Sequence, residues 1–332
     1  MRGQVRTAEA GQDRLKYAGR VGGYVIGAHS MAKVRGRAFL PFLLAAALGG
    51  SALPGAWAQS AGGTAKKPPA PICDRAAFRV VVDVGHTAES PGAMSARGFG
   101  EYDFNLRLAK SVVKSLRDAG FDRTVLLITE GKTRKGLAER VTRANSLSPD
   151  LFFSIHHDSV PDSFLQFWEY EGQRHGYSDR FNGHSLFISA DNADPPGSLL
   201  FGQMLGMQLR ARGLQYTPHY TQKFMGHRQR VLVDAEAGVY RYDQLIVLKN
   251  TNMPAVLLEA GSIINRQEEL VMGSPERQAL VSAAVTDAVE VFCAVRRPLP
   301  PERIARPPAV ASKPALAPSA AATQPAAAPK PR

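Results

Sequence analysis

The run Phe78-Arg79-Val80-Val81-Val82-Asp83-Val84-Gly85-His86 is short, almost continuously apolar and rich in β-branched residues. That composition suits a strand buried on both faces of a parallel sheet. It stops at a glycine and a histidine, and a Gly-rich loop follows over 85–100. Beyond the loop the period changes. Phe104, Leu108 and Val112 fall on one helical face with Ala109, Val113 and Leu116 beside them, and Gly120 suits the position just past the helix end. Further strand-like runs lie at 124–129, 151–155, 185–189, 245–248 and 255–258. Helical patterns lie at 137–145, 198–210 and 275–292; the last opens on Pro275, a first-turn residue, and presents Val281, Val285, Ala288 and Phe292. Strand–helix alternation of this kind predicts an α/β fold: a single-domain three-layer sandwich, its mostly parallel sheet flanked by helices on both faces.

Composition sets the boundaries. Residues 59–72 are small and Pro-rich and read as a linker. Residues 298–332 are mostly Pro and Ala, too poor in apolar area to offset the entropy of ordering, and predict a disordered tail. The domain is therefore 73–297. The net charge of +12 lies outside it. Residues 1–58 carry eight basic and two acidic residues, 296–332 carry seven and one, and 59–295 carry 26 of each sign. A nucleic-acid enzyme would be expected to place its positive field on the folded part, so nucleic acid is not an expected partner. The N-terminal excess has its own explanation. The basic stretch 31–37, the apolar run 38–48 and Ala56-Trp57-Ala58 have the layout of a cleaved signal peptide over 31–58, and the apolar run is short for a membrane span. Residues 1–30 precede a second start at Met31 and read as a mis-assigned or unstructured extension. Export to the periplasm or the exterior would place Cys73 and Cys293 in an oxidising compartment. Two readings stay open there, a disulfide joining the two ends of the domain or a pair of buried thiols.

Open α/β sheets carry their sites beyond the carboxyl ends of the strands. His86 follows the first strand, His156-His157-Asp158 the third, and Glu259 the run 255–258, while Glu101 opens the first helix. Two or three imidazoles and two carboxylates thus gather at one sheet edge. Two His and one carboxylate with an open fourth position form the ligand set of a hydrolytic zinc site, and a further carboxylate can serve as general base. Adjacent residues at a strand end point to opposite sides, so only one of His156 and His157 reaches the metal.

These residues carry a family resemblance. Val81-Val82-Asp83-Val84-Gly85-His86, Gly100-Glu101-Tyr102-Asp103-Phe104-Asn105-Leu106, Ala138-Glu139-Arg140 with Ala144-Asn145, Phe153-Ser154-Ile155-His156 and Met253-Pro254-Ala255-Val256-Leu257-Leu258-Glu259 resemble the ordered motifs of the zinc-dependent N-acetylmuramoyl-L-alanine amidases. The resemblance implies His86, Glu101 and His156 as ligands of Zn2+, with His157 excluded, and Glu259 as the catalytic residue. It implies peptidoglycan as the substrate, cell-wall remodelling or daughter-cell separation as the role, and a monomer. Two departures stand out. Asp83-Val84-Gly85-His86-Thr87-Ala88 replaces the family's Asp-Pro-Gly-His-Gly-Gly, and Glu259-Ala260-Gly261-Ser262-Ile263-Ile264-Asn265 replaces Glu-x-Gly-Phe-x-x-Asn. The region 159–244 is long and irregular. In some relatives it holds a helix that covers the site, so an activator protein relieving a lid enters as an expected partner. His175, His184, His219 and His227 within it read as surface residues, and Asp234, Glu236 and Asp243 as residues that could face the zinc cleft. Two other functions fit the same residues, a zinc peptidase acting on stem peptides and a non-catalytic peptidoglycan binder; the second would be marked by loss of a ligand or the base, and all four are present.

Overall fold

The computed structural model describes residues 72–297; the extension, the signal peptide, the linker up to residue 71 and the Pro/Ala tail lie outside the described residues. In chain order the elements are β1 (Val80–Val84), α1 (Glu101–Asp118), β2 (Val125–Leu127), α2 (Thr133–Leu147), β3 (Leu151–Asp158), β4 (Gln166–Tyr170), β5 (Gln173–Tyr177), β6 (Ser185–Ile188), α3 (Pro195–Ala211), β7 (Val231–Asp234), β8 (Val239–Arg241), α4 (Ile246–Lys249), β9 (Ala255–Ser262), α5 (Arg266–Met272) and α6 (Pro275–Arg296). Seven strands form one sheet in the order β2-β1-β3-β9-β6-β8-β7, and β4 and β5 form a separate hairpin. β2, β1, β3 and β9 run parallel, β6 is antiparallel to β9, and β8 is parallel to β6. The mixed α/β sandwich read from the strand–helix alternation is the fold observed.

Alternation along the strands sorts the side chains into two layers. Val80, Val82, Val84, Phe153, Ile155, Val256 and Leu258 join α1, α3 and α6 in one core. Val81, Phe152, Ala255 and Leu257 face α2, α4 and the aromatic cluster Phe187, Tyr220 and Tyr240 in the other. Because β1 is buried along its whole length, its one carboxylate, Asp83, needs a partner, and that partner is Arg140 on α2. α6 is long and apolar enough to cross a membrane by composition. Its Val281, Val285, Ala288 and Phe292 are nevertheless buried in the first core, as in the core helix of a globular domain.

Cys73 and Cys293 form a disulfide, with an S–S distance of 1.96 Å and a Cα–Cα distance of 5.2 Å. That closes the question left open by their spacing. Two local expectations are corrected. Residues 245–248 are not a strand: Ile246–Lys249 is one helical turn that buries Val247 and Leu248, and a four-residue apolar run does not distinguish the two periods. The region 159–244 is also more regular than expected, holding β4–β8 and α3. The β4–β5 turn uses Glu171 and Gly172 with φ of 50° and 75°, a two-residue hairpin turn whose usual Asn-Gly or Asp-Gly signal is missing.

Candidate metal centre

The site is assembled where β1, β3 and β9 end. Asp83, Ser154, His156 and Glu259 share the sheet face that meets α2, and His156 and Glu259 are register partners on neighbouring strands. Glu101 enters from the side as the first residue of α1, where the helix dipole favours a negative charge. His86 leaves β1 with a φ of 64°, a conformation that costs a non-glycine residue about 1 kcal/mol or more. An arginine holds it there. Nη2 of Arg140 donates to the carbonyl of His86 at 2.6 Å and to Thr129, while Nε lies 3.2 Å from the Asp83 carboxylate. Burial pushes the Asp83 carboxyl up, opposed by Arg140 and by the hydroxyl of Ser154, which donates at 2.7 Å.

Glu101 links the two histidines: its oxygens lie 2.9 Å from Nε2 of His86 and 2.8 Å from Nδ1 of His156. Burial alone would raise its pKa, but hydrogen bonding to His156 and His86 outweighs burial and holds the carboxyl well below the usual range. One turn on, Asn105 donates to Glu101 and to the carbonyl of Gly85, tying the helix start to the end of β1. Two glycines make room. A Cβ on Gly85 would lie 2.5–2.6 Å from ring carbons of His156, and one on Gly92, where φ is 80°, would meet Glu101 and His86. His86, Glu101 and His156 each offer one ligand atom, and these lie within 4.8 Å of one another; no other such group of His, Cys, Asp and Glu is found among the described residues.

His157 faces away from this cluster. It is buried, its Nδ1 lies 2.7 Å from Asn105, and burial lowers its pKa to about 3. Glu259 lines a cleft of about 520 Å³, together with Leu137, Arg140, Tyr220, Arg228 and Arg230. Its Oε2 has no hydrogen-bond partner among the described residues. Burial first, then the carboxylates of Asp158 and Glu101, push its pKa far above the ordinary value. Asp158 at the end of β3 accepts from the Tyr220 hydroxyl at 2.8 Å, and burial holds its carboxyl above the usual carboxylate range.

The other candidates fall elsewhere. Asp234 is taken up by Gln203 and the backbone of Glu236 and Ala237; Asp243 is taken up by Arg241 and the backbone of Ala190. Glu236 is exposed beside a different cavity, with Arg210, so none of the three lines the cleft. His184 and His219 are buried, at 2% and 5% exposure, not on the surface. His175 packs against Gly98, and His227 is exposed at the cleft rim. Asp83, Asn105 and Tyr220 were not singled out from sequence. Asp83 had a visible signal, a carboxylate inside an apolar strand, and Asn105 had another, its place one turn after Glu101.

A family model described as N-acetylmuramoyl-L-alanine amidase matches residues 80–291. The chain belongs to this family. Membership makes it an enzyme of the peptidoglycan amidase class. Among curated relatives, the N-acetylmuramoyl-L-alanine amidase AmiA of Escherichia coli is 25% identical over 225 residues, spanning 63% of this chain and 74% of the relative. AmiA of Salmonella typhimurium is 24% identical over 226 residues with the same shares. The fold is also that of the crystal structure of an N-acetylmuramyl-L-alanine amidase from Mycobacterium smegmatis, with a TM-score of 0.50 and 20% identity over 66% of this chain and 98% of that one.

Proposed function

We propose that this amidase hydrolyses the amide between the lactyl group of N-acetylmuramic acid and the first L-alanine of the stem peptide, as a zinc enzyme with Glu259 as general base. The observation that carries the reading is the convergence of His86, Glu101 and His156 beside a carboxylate with an unpartnered oxygen. Two imidazoles and one carboxylate fit a catalytic zinc site with an open position. Zinc held there supplies a Lewis acid that polarises the scissile carbonyl and makes water more acidic.

The chain's own residues do the rest. Glu101, kept ionised by its hydrogen bonds, supplies the negative charge. Arg140 and Asn105 hold His86 and Glu101 in place through the carbonyls of His86 and Gly85 and the Glu101 carboxylate. Glu259 takes the proton of the attacking water and returns it to the leaving amine, a task suited to a carboxyl with an oxygen that no protein group occupies. Work in the periplasm or outside the cell, after removal of the 31–58 signal peptide, agrees with the Cys73–Cys293 disulfide. A role in cell-wall remodelling or daughter-cell separation follows from the substrate. An activator protein would act on the short turns His219–Thr221 and Lys223–Arg228, whose Tyr220 and Arg228 border the cleft.

The test is digestion of purified sacculi by wild type, by wild type with a chelator, and by Glu259→Gln. New L-alanine amino termini should be released by the first alone. The variant should lose at least about a hundredfold in rate, as expected for removal of a general base. Full-rate release by Glu259→Gln, or amino termini other than L-alanine, would overturn the reading; the second result would point to a stem peptidase.

A further inference from the structure

Three guanidinium groups line the cleft that holds Glu259, and they differ in how far their charge is committed. Arg140 is committed: its side chain is 4% exposed, beside the buried Asp83 carboxylate and bonded to Thr129 and His86. Arg228 is partly committed, donating to the carbonyl of Ser159 at 3.1 Å and lying 4.0 Å from Asp158. Arg230 is not. Its Nη1 donates to two backbone carbonyls, of His227 and Gln229, and its Nε is enclosed without a partner. No carboxylate pairs with it among the described residues. The guanidinium lies 3.5 Å over the ring of Tyr242, itself a cleft residue. Stacking on an aromatic face fixes the plane of an arginine, and with Nη1 taken by the two carbonyls and Nε enclosed, Nη2 is the group left to donate a charge-assisted hydrogen bond to an acceptor in the cleft.

We infer that Arg230 is a specificity-determining residue that binds a carboxylate of the stem peptide. The inference rests on the amidase reading above and adds to it which part of the substrate the cleft recognises. The substrate's own chemistry selects the peptide side. In the intact substrate the lactyl carboxyl is consumed in the scissile amide and the N-acetyl group is neutral, so the muramic acid offers no anion. The stem peptide keeps free carboxylates beyond the first alanine. The cleft that holds Arg230 and Glu259 is also lined by Phe187, Leu257 and Val247, an apolar surface suited to the alkyl parts of a short peptide.

The test uses a set of muramoyl peptides in which each stem carboxylate is converted in turn to a carboxamide. Wild type should lose roughly tenfold to hundredfold in kcat/KM at one position, mostly in KM, the value of a charge-assisted hydrogen bond. Arg230→Gln should bring the ratio of free to amidated substrate at that position close to one, and Arg230→Lys should keep part of it. A merely structural Arg230, holding Tyr242 and the 227–229 turn, would lower both substrates together and leave the ratio intact, which would overturn the assignment. Indifference of wild type to every amidation would overturn it too, and needs no variant that folds. Failure of wild type to cleave any of these compounds would remove the amidase reading itself.

Discussion

The most direct probe of the proposed metal centre is Gly85→Ala, a change of one methyl group at a residue that is not a ligand. Gly85 does not have a positive φ, so alanine costs the backbone little there. The whole effect comes from His156, whose ring carbons would lie 2.5–2.6 Å from the new Cβ. Ordinary contact begins near 3.4 Å, so the ring must retreat by about 1 Å, where a preorganised site tolerates about 0.5 Å. Overpacking of this kind costs roughly 1–3 kcal/mol of stability. Zinc affinity should fall by about tenfold to hundredfold, the scale seen when a ligand loses its proper orientation. The rate should fall by about a hundredfold, since a misplacement of this size is enough to lose productive geometry. Zinc affinity is read by competition with a chromogenic chelator, and stability by urea melts of the metal-free protein. His156→Ala removes the clash, so adding Gly85→Ala to that background should cost much less stability than in wild type. Wild-type zinc affinity in Gly85→Ala, or an equal stability loss in both backgrounds, would refute the placement of His156 over Gly85.

Three further outcomes are expected. Arg140→Met leaves Asp83 buried without its countercharge, and urea unfolding should register a loss of about 3–5 kcal/mol, with activity falling because the carbonyl of His86 loses its donor. Reduction of the Cys73–Cys293 disulfide, or Cys73→Ser with Cys293→Ser, opens a span of 220 residues and should cost up to about 5 kcal/mol on chain-entropy grounds, seen as a melting temperature below that of the oxidised wild type, with reductant lowering that of wild type but not that of the double variant. His184 carries its pKa down to about 4 through burial first and the charge of Arg277 second. The unfolded chain therefore binds more protons than the folded one between its ordinary value and about pH 4. The stabilisation is complete above the unfolded pKa and is lost as pH falls, by about 2 kcal/mol at pH 5; His184→Gln should remove that share of the fall in the urea midpoint between pH 7 and pH 5, while His157 and His219, also held low by burial, keep theirs.

The layers and the site could be read from the chain for the same reason. Valines 80, 81, 82 and 84 are buried on both sides, so their run shows a central strand without any tertiary knowledge. The residues at the carboxyl ends of such strands can be listed directly, although His156 and Glu259 lie inside β3 and β9 and not past them, because those strands run on to Asp158 and Ser262. His156 and His157 separated by strand alternation, as the buried hydrogen bond of His157 to Asn105 shows. What stayed hidden depends on partners far apart in the sequence. Arg140 could be quoted as part of a motif, but its hold on the carbonyl of His86 spans 54 residues and has no local signature. His184 and His219 looked like loop histidines because burial of a single polar residue leaves no period to detect. The one-turn α4 and the Glu171-Gly172 hairpin were missed because each is too short for a repeat to show.

Cys73 and Cys293 also determine how the domain bears load. Both lie by Phe78 and Phe292, at the sheet edge where β1 begins, while His86 and Glu259 mark the edge where the strands finish. Tension pulled through the chain from residue 72 to residue 297 takes the covalent shortcut between the two sulfurs, helped by the bond from the amide of Asp74 to the carbonyl of Arg297. The sheet and the edge that carries His86 and Glu259 are left out of that path, so the cleft would keep its geometry under a pull on the two ends of the domain.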